Sequence, residues 1–246
     1  MPTLLHKDVG LVKGIAFDTS RRVGTAMQAV KVYNMREVDE LVFLDITATK
    51  DGRQPDYDLI DDIADECFMP LTVGGGVRSV DDVGRLLMVG ADKVSINTAV
   101  TELPDLVSAS AAHFGSQSIV VSIDARREDD GSHQVYTHSG TVPTGRDPVR
   151  VARDAEASGA GEVLLTSIDR DGTMEGYDIE LVRSVSEAVS VPVIASGGAG
   201  NYQHLADALG EGGASAVAAA SVFHFTEQTP AEAKAFLSES GFPVRH

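Results

Sequence analysis

The chain has one cysteine, Cys67, and no tryptophan in 246 residues. A lone thiol excludes an internal disulfide and a cysteine-built zinc ribbon, and it suits a reducing cytoplasm, the expected location. Basic charge is also scarce: 37 acidic residues face 20 basic ones, for a formal net charge of −17. Nucleic-acid affinity comes from clustered Lys and Arg, so no nucleic-acid partner is expected. No run of 18 apolar residues occurs and the opening MPTLLHKDVG has no apolar signal core, so no membrane partner and no secretion are expected. There is no G-x-G-x-x-G opening a helix and no Walker lysine motif, which removes the usual reasons to read a doubly wound nucleotide-binding sheet. No Pro/Ser-rich or low-complexity linker divides the chain, so residues 1–246 read as one domain. The acidic surplus lies on helix faces such as DLIDDIADE (58–66). Such a face is well solvated, and in high salt screening weakens its self-repulsion.

What is present is an alternation. Short β-branched runs stand at 3–6, 40–46, 70–75, 93–97, 119–125, 162–169, 192–198 and 216–222. Most are separated by stretches with helical spacing, among them VDDVGRLLMVG (80–90) and DPVRVARDAEASG (147–159). Continuous apolar strands between helices imply a parallel sheet covered outside, and eight of them in about 250 residues is the count of an α/β (β/α)8 TIM barrel. The chain also repeats itself: ELVFLDITATKDG aligns with EVLLTSIDRDGT at an offset of 122, and GADKVSINT meets GASAVAAAS at 123. A period of half the chain predicts two fused half-barrels, about 1–118 and 119–246.

The repeat includes two glycine segments, PLTVGGGVR (70–78) and PVIASGGAG (192–200). Gly75 and Gly76 match Gly197 and Gly198. Both pairs fall at C-terminal strand ends, where a barrel carries its site. Glycine there lets backbone N–H groups approach an anion, and the following helix N-terminus adds unsatisfied donors. A polar pair follows the next strand in each half, Asn97 with Thr98 and Ala220 with Ser221. Two phosphate cups are therefore expected, holding a small, long substrate with a phosphate at each end; the alternative is that the glycines only make tight turns. Lys13, after the first strand, is a candidate to steady a phosphate, and Asp45, Asp169 and Ser196 are expected to face the mouth. Gly172 and Thr173 of SIDRDGT join the candidate binding positions. Glu40, Lys93 and Glu162 each precede a strand core on the second, fourth and sixth strands, so they can form one charged layer at the barrel floor.

DELVFLDITA, TVGGGV, GADKVSINTA, GSQSIVVSIDA, GAGEVLLTSIDRDGT, GYD, IASGGAG and AASVFHF together resemble the cyclase subunit of imidazole glycerol phosphate synthase, from about residue 9 onward. The related isomerase of the same pathway is also such a barrel but lacks a glutaminase partner. The resemblance implies a half-barrel duplication that binds a bisphosphorylated ribonucleotide. It also implies a glutaminase subunit docked at the N-terminal face and supplying ammonia. No cofactor or metal is expected. The implied lyase reaction of histidine biosynthesis builds an imidazole ring and releases an aminoimidazole carboxamide ribotide. That family uses two aspartates as acid and base. Asp124 matches the second, but Leu5 stands where the first belongs, and a leucine transfers no proton. Asp8, three residues on, is the only nearby substitute, provided its loop folds over the mouth. Glu40, Lys93 and Glu162 match the family's ammonia gate, whose fourth member, an arginine, would fall before Met1. With Leu5, GLVKG, NMREVDELVFLD and DGTMEGYD the chain is similar to a diverged branch associated with sugar amidation for surface polysaccharides. There the barrel and its glutaminase supply ammonia to a third protein. The expectation is thus an ammonia-accepting barrel subunit of a glutamine amidotransferase on that branch; the alternatives are a genuine cyclase and a non-catalytic scaffold that conducts ammonia.

Overall fold

The computed structural model describes residues 1–8, 10–18 and 21–245. The first strand, β1 (Thr3–Lys7), reverses into β2 (Gly10–Lys13) and β3 (Arg21–Gly24), and then α1 (Ala26–Met35) carries the chain back to the floor. Three strand–helix units follow: β4 (Leu41–Asp45) with α2 (Tyr57–Glu66), β5 (Leu71–Gly74) with α3 (Val80–Met88), and β6 (Lys93–Ile96) with α4 (Thr98–Glu102) and α5 (Asp105–Phe114). The second part begins in the same way. The long β7 (Ile119–Arg127) reverses into β8 (His133–Thr137) and β9 (Val142–Pro143), followed by α6 (Pro148–Ala157). β10 (Glu162–Ser167) leads to α7 (Ile179–Ser186) and β11 (Val193–Ser196) to α8 (Tyr202–Gly210). β12 (Ala216–Val217) is followed by α9 (Ser221–Phe225) and α10 (Pro230–Glu239).

β1, β4, β5, β6, β7, β10, β11 and β12 pair in that order, all parallel. The two ends of the order meet: Pro2 bridges Ala219 in parallel, Thr3 N–H donates to Ala219 O at 3.0 Å, and Ala219 N–H donates to Met1 O at 2.9 Å. The fold is the expected (β/α)8 barrel. Its strands are buried on both faces, which is why they read as apolar runs without polar alternation. Val42, Val120, Leu164, Ile194 and Ala218 fill the inside as one cluster, while their neighbours Phe43, Val121, Val163 and Val193 pack outward with the helices. Each such large side chain taken fully out of water contributes roughly 1.5–3 kcal/mol.

Helix starts follow local chemistry. Asp56, Ser79, Asp147, Asp178 and Asn201 accept from the third backbone N–H after them, and Pro148 opens α6, where its missing donor costs nothing. The eighth strand is a correction. The run 216–222 is strand only at Ala216–Val217, and Ser221 already begins α9. Its alanines fit the narrow interior, and the backbone continues to pair through single bonds, Ala218 N–H to Ala195 O at 2.8 Å among them.

Candidate active site

A cleft whose space, open solvent at its mouth included, is about 1240 Å³ lies at the C-terminal ends of the barrel strands. Asp124, near the end of β7, is buried in its wall. Asn97 ends the neighbouring β6 and caps α4, yet its side chain bonds no backbone of that helix. Its Nδ2 donates to Asp124 Oδ2 at 2.8 Å instead, with Ser122 Oγ at 3.4 Å. Burial pushes the Asp124 carboxyl up to about 7, further raised by the charge of Asp171 and opposed by the Asn97 donor. At neutral pH such a group both takes and gives a proton, as a general acid–base requires. β1 lies four strands from β7 in the barrel order, hence directly across, and there the wall is Leu5.

The two glycine turns are built alike down to their contacts. Gly75 (φ 110°) and Gly197 (φ 89°) both adopt a conformation that other residues rarely take. A Cβ at Gly75 would collide with the Asp45 carbonyl oxygen, and one at Gly197 would lie 2.6 Å from that of Ser167. Asp45 and Ser167 are themselves 122 positions apart. The close approach of the preceding strand end therefore demands glycine in both halves, whatever ligand the amides meet. The two cups differ in their hydroxyls. Thr98 Oγ1 accepts from His138 N–H at 3.1 Å, whereas Ser221 Oγ is buried in the cavity wall with no hydrogen-bond partner among the described residues.

Of the candidate residues, Lys13, Gly75, Asn97, Thr98, Asp124, Gly172, Ser196, Gly197, Gly198, Ala220 and Ser221 line the cavity. Asp45 lines it too, but its carboxylate is engaged by Thr47 and Ala48 N–H and by Arg53. Four others are elsewhere. Gly76 is not among the lining residues and gives its N–H to Thr49 Oγ1 at 3.3 Å. Asp169 turns outward, accepting from Arg127 N–H at 2.8 Å, because β7 continues past the rim and offers it a donor there. Thr173 Oγ1 donates to Arg170 O at 2.8 Å and so closes its own turn. Asp8 is exposed outside the mouth, since the chain reverses directly after Lys7, which pairs with Gly10.

Sequence reading missed the polar wall of Thr3, Ser95, Ser122 and Thr166, and it missed Asp171. Asp171 Oδ1 accepts from Lys13 Nζ at 2.6 Å in a buried ion pair. At the opposite end the three-residue layer is formed: Lys93 Nζ lies 3.0 Å from Glu40 Oε2 and 2.6 Å from Glu162 Oε1. Both partners hold the Lys93 ammonium above its usual range, against the effect of its partial burial.

An eight-stranded parallel barrel whose mouth holds a buried, near-neutral carboxyl beside an amide donor belongs among the barrel enzymes. The chain belongs to the histidine biosynthesis protein family, whose model matches residues 5–229, and that family includes isomerases and cyclases. Among the described residues no helix is long and apolar enough to cross a membrane.

Proposed function

We propose that the chain is the ammonia-accepting barrel subunit of a two-subunit glutamine amidotransferase of the imidazole glycerol phosphate synthase type. Its branch is the one that supplies nitrogen for amidation of nucleotide sugars or surface polysaccharides, handing it to a third protein. The carrying observation is Leu5, which faces the cavity across from Asp124. Addition of ammonia to a carbonyl requires a base to take a proton from nitrogen, and Asp124 can serve. Closing a ring then requires a second group to protonate the departing oxygen while the first is occupied. Leu5 supplies none.

Several features support the remaining parts of this reading. The Ser221 hydroxyl, without a partner among the described residues and lining the same cavity as Gly197 and Gly198, suits a phosphate of a bisphosphorylated, ribonucleotide-like ligand. The matched contacts of Gly75 and Gly197 suit one domain made of two fused halves. Met35, Phe68 and Met88 are all strongly exposed; Met35 and Met88 end α1 and α3, and Phe68 lies between α2 and β5, so all three stand at the end of the barrel where the strands begin, as Lys93 does. An apolar patch around a charged floor suits a glutaminase docked there, with Glu40, Lys93 and Glu162 as the point of ammonia entry. A second reading, the genuine cyclase, is favoured by the near-neutral Asp124 carboxyl. A pure conduit would need neither that group nor the Ser221 site.

Expression in a histidine auxotroph that lacks its cyclase subunit separates these readings. No growth is expected on medium without histidine, with the protein verified as soluble. Growth would assign the chain to ring closure and overturn the amidation branch.

A further inference from the structure

The hairpin of β8 and β9 is anchored on either side of the first glycine turn. At its tip, Ser139 Oγ donates to Ile46 O at 2.6 Å, just past the end of β4. The neighbouring His138 N–H donates to Thr98 Oγ1 at 3.1 Å, just past the end of β6. β5, which leads into the turn of Gly75 and Gly76, lies between those two strands. The tip therefore spans the place where an anion would enter the first cup, and Ser139 is part of the cavity lining. His138 (φ 51°) and Ser139 (φ 55°) are both left-handed, a conformation that side chains disfavour and that persists only where contacts enforce it. Donors of that cup are engaged as well: Gly76 gives its N–H to Thr49 Oγ1, and the Asn97 amide is given to Asp124. Gly75 needs no ligand to explain it, since the Asp45 carbonyl already requires a glycine there.

The second half is built differently. The turn of the first hairpin, residues 14–18, rests on the loop after β10, where Ala16 N–H donates to Asp171 O at 2.7 Å. Ser221 Oγ keeps no partner among the described residues, although Ser221 is only 4% exposed. Gly197, Gly198 and Lys13 line the same cavity. A buried hydroxyl is costly unless a ligand or water completes it.

We propose that the site seats one phosphoryl group, at Gly197, Gly198 and Ser221, and that the tip of the second hairpin fills the matching seat of the first half. The ligand class is a phosphate monoester. A bisphosphorylated ligand is held by one phosphate, and its other end stays in solvent. The half-chain repeat thus carries two glycine turns but one anion site: the turn serves packing in the first half, and packing with binding in the second. This rests on the reading of Ser221 as a phosphate seat and revises only the number of seats. It holds for either branch of the proposed function.

The probes are a bisphosphorylated ribonucleotide and the two monophosphates left when either of its phosphates is removed. With protein in excess over the bisphosphate, phosphorus NMR is expected to show one resonance displaced from its free position and unresponsive to pH. The other should titrate near about pH 6, as in the free ligand. A second seat with charge-assisted hydrogen bonds would be worth more than about tenfold in affinity, so calorimetry is expected to place the bisphosphate within about tenfold of the better monophosphate. Ser221→Ala should weaken both of these ligands by about tenfold or more, with the urea midpoint little changed. Gly198→Ala should do the same, because its Cβ would collide with the Gly176 carbonyl oxygen. Two displaced phosphorus resonances would overturn the single seat and leave Ser221 as one of two. So would a bisphosphate bound more than about tenfold tighter than either monophosphate. Failure of every probe to bind, or affinities that Ser221→Ala leaves unchanged, would remove the phosphate seat itself and this inference with it.

Discussion

Above pH 7, Asp124→Asn is expected to be more stable than the wild type by about 4 kcal/mol, an advantage that disappears toward pH 4. The folded-state pKa is raised from 3.8 to about 7, and burial is the principal cause. Between those values the folded protein holds a proton that the unfolded chain has released, so wild-type stability falls as pH rises through this window. It reaches its full penalty above pH 7. Asparagine has no charge to bury and keeps the contact with Asn97, whose amide can present either its oxygen or its nitrogen. For a chain of this size the difference corresponds to a rise in Tm on the order of 10 °C. The same substitution removes the buried, ionisable carboxyl at that point of the wall, and turnover involving it should drop about 10²–10⁴-fold. Thermal scans of both proteins at pH 4, 6 and 8 check the first part. Parallel curves at all three values would mean that Asp124 is not buried as described. Gain of stability with loss of activity is the mark of a residue kept for chemistry.

The second large effect belongs to the floor. Lys93 pairs with Glu40 and Glu162 at once, and Glu162 Oε2 is buried with no partner among the described residues. Lys93→Met is expected to cost about 3 kcal/mol, because it leaves two carboxylates facing each other without a cation. The partial exposure of all three side chains keeps the cost from being larger. Combining Lys93→Met with Glu40→Gln and Glu162→Gln should recover most of the loss. Breaking a pair strands a charge, whereas neutralising the whole group does not. Urea midpoints of the single and triple variants decide the matter. A single variant as stable as wild type would show that the layer holds no charge balance worth keeping.

The barrel was legible because a parallel strand covered on both sides writes itself as an apolar run, and because the half-chain offset aligned strand with strand. The eighth strand was read too long since alanine carries no signal that separates strand, bridge and helix start; Ala216, Ala219 and Ala220 occupy one of each or its border. The two hairpins after β1 and β7 were missed, although HQVYT (133–137) has the β-branched and aromatic content of a strand. Their presence explains two misplacements at once. The first hairpin keeps Asp8 outside the mouth, and the second draws Asp169 away from it.

At the site, inward positions alternate with outward ones, so Ser95 with Asn97 and Ser122 with Asp124 could have been read together as one polar wall. Asp171 left no such trace. It lies beyond the end of β10, in the loop before α7, and only tertiary structure brings it to Lys13, 158 positions away. Phosphate-oriented reading of the glycines also concealed their packing role, which is set by the carbonyls of Asp45 and Ser167 rather than by any feature of the glycine segments themselves.

The claim on which the functional account depends is that Leu5, by replacing an acid across from Asp124, deprives this barrel of ring closure. It is tested most directly by assaying the wild type and Leu5→Asp with a bisphosphorylated ribonucleotide and an ammonium salt, following appearance of the imidazole product. The account predicts no detectable product from the wild type and measurable, ammonium-dependent turnover from Leu5→Asp that Asp124→Asn abolishes. Ring closure by the wild type at a rate that Leu5→Asp does not raise would contradict it.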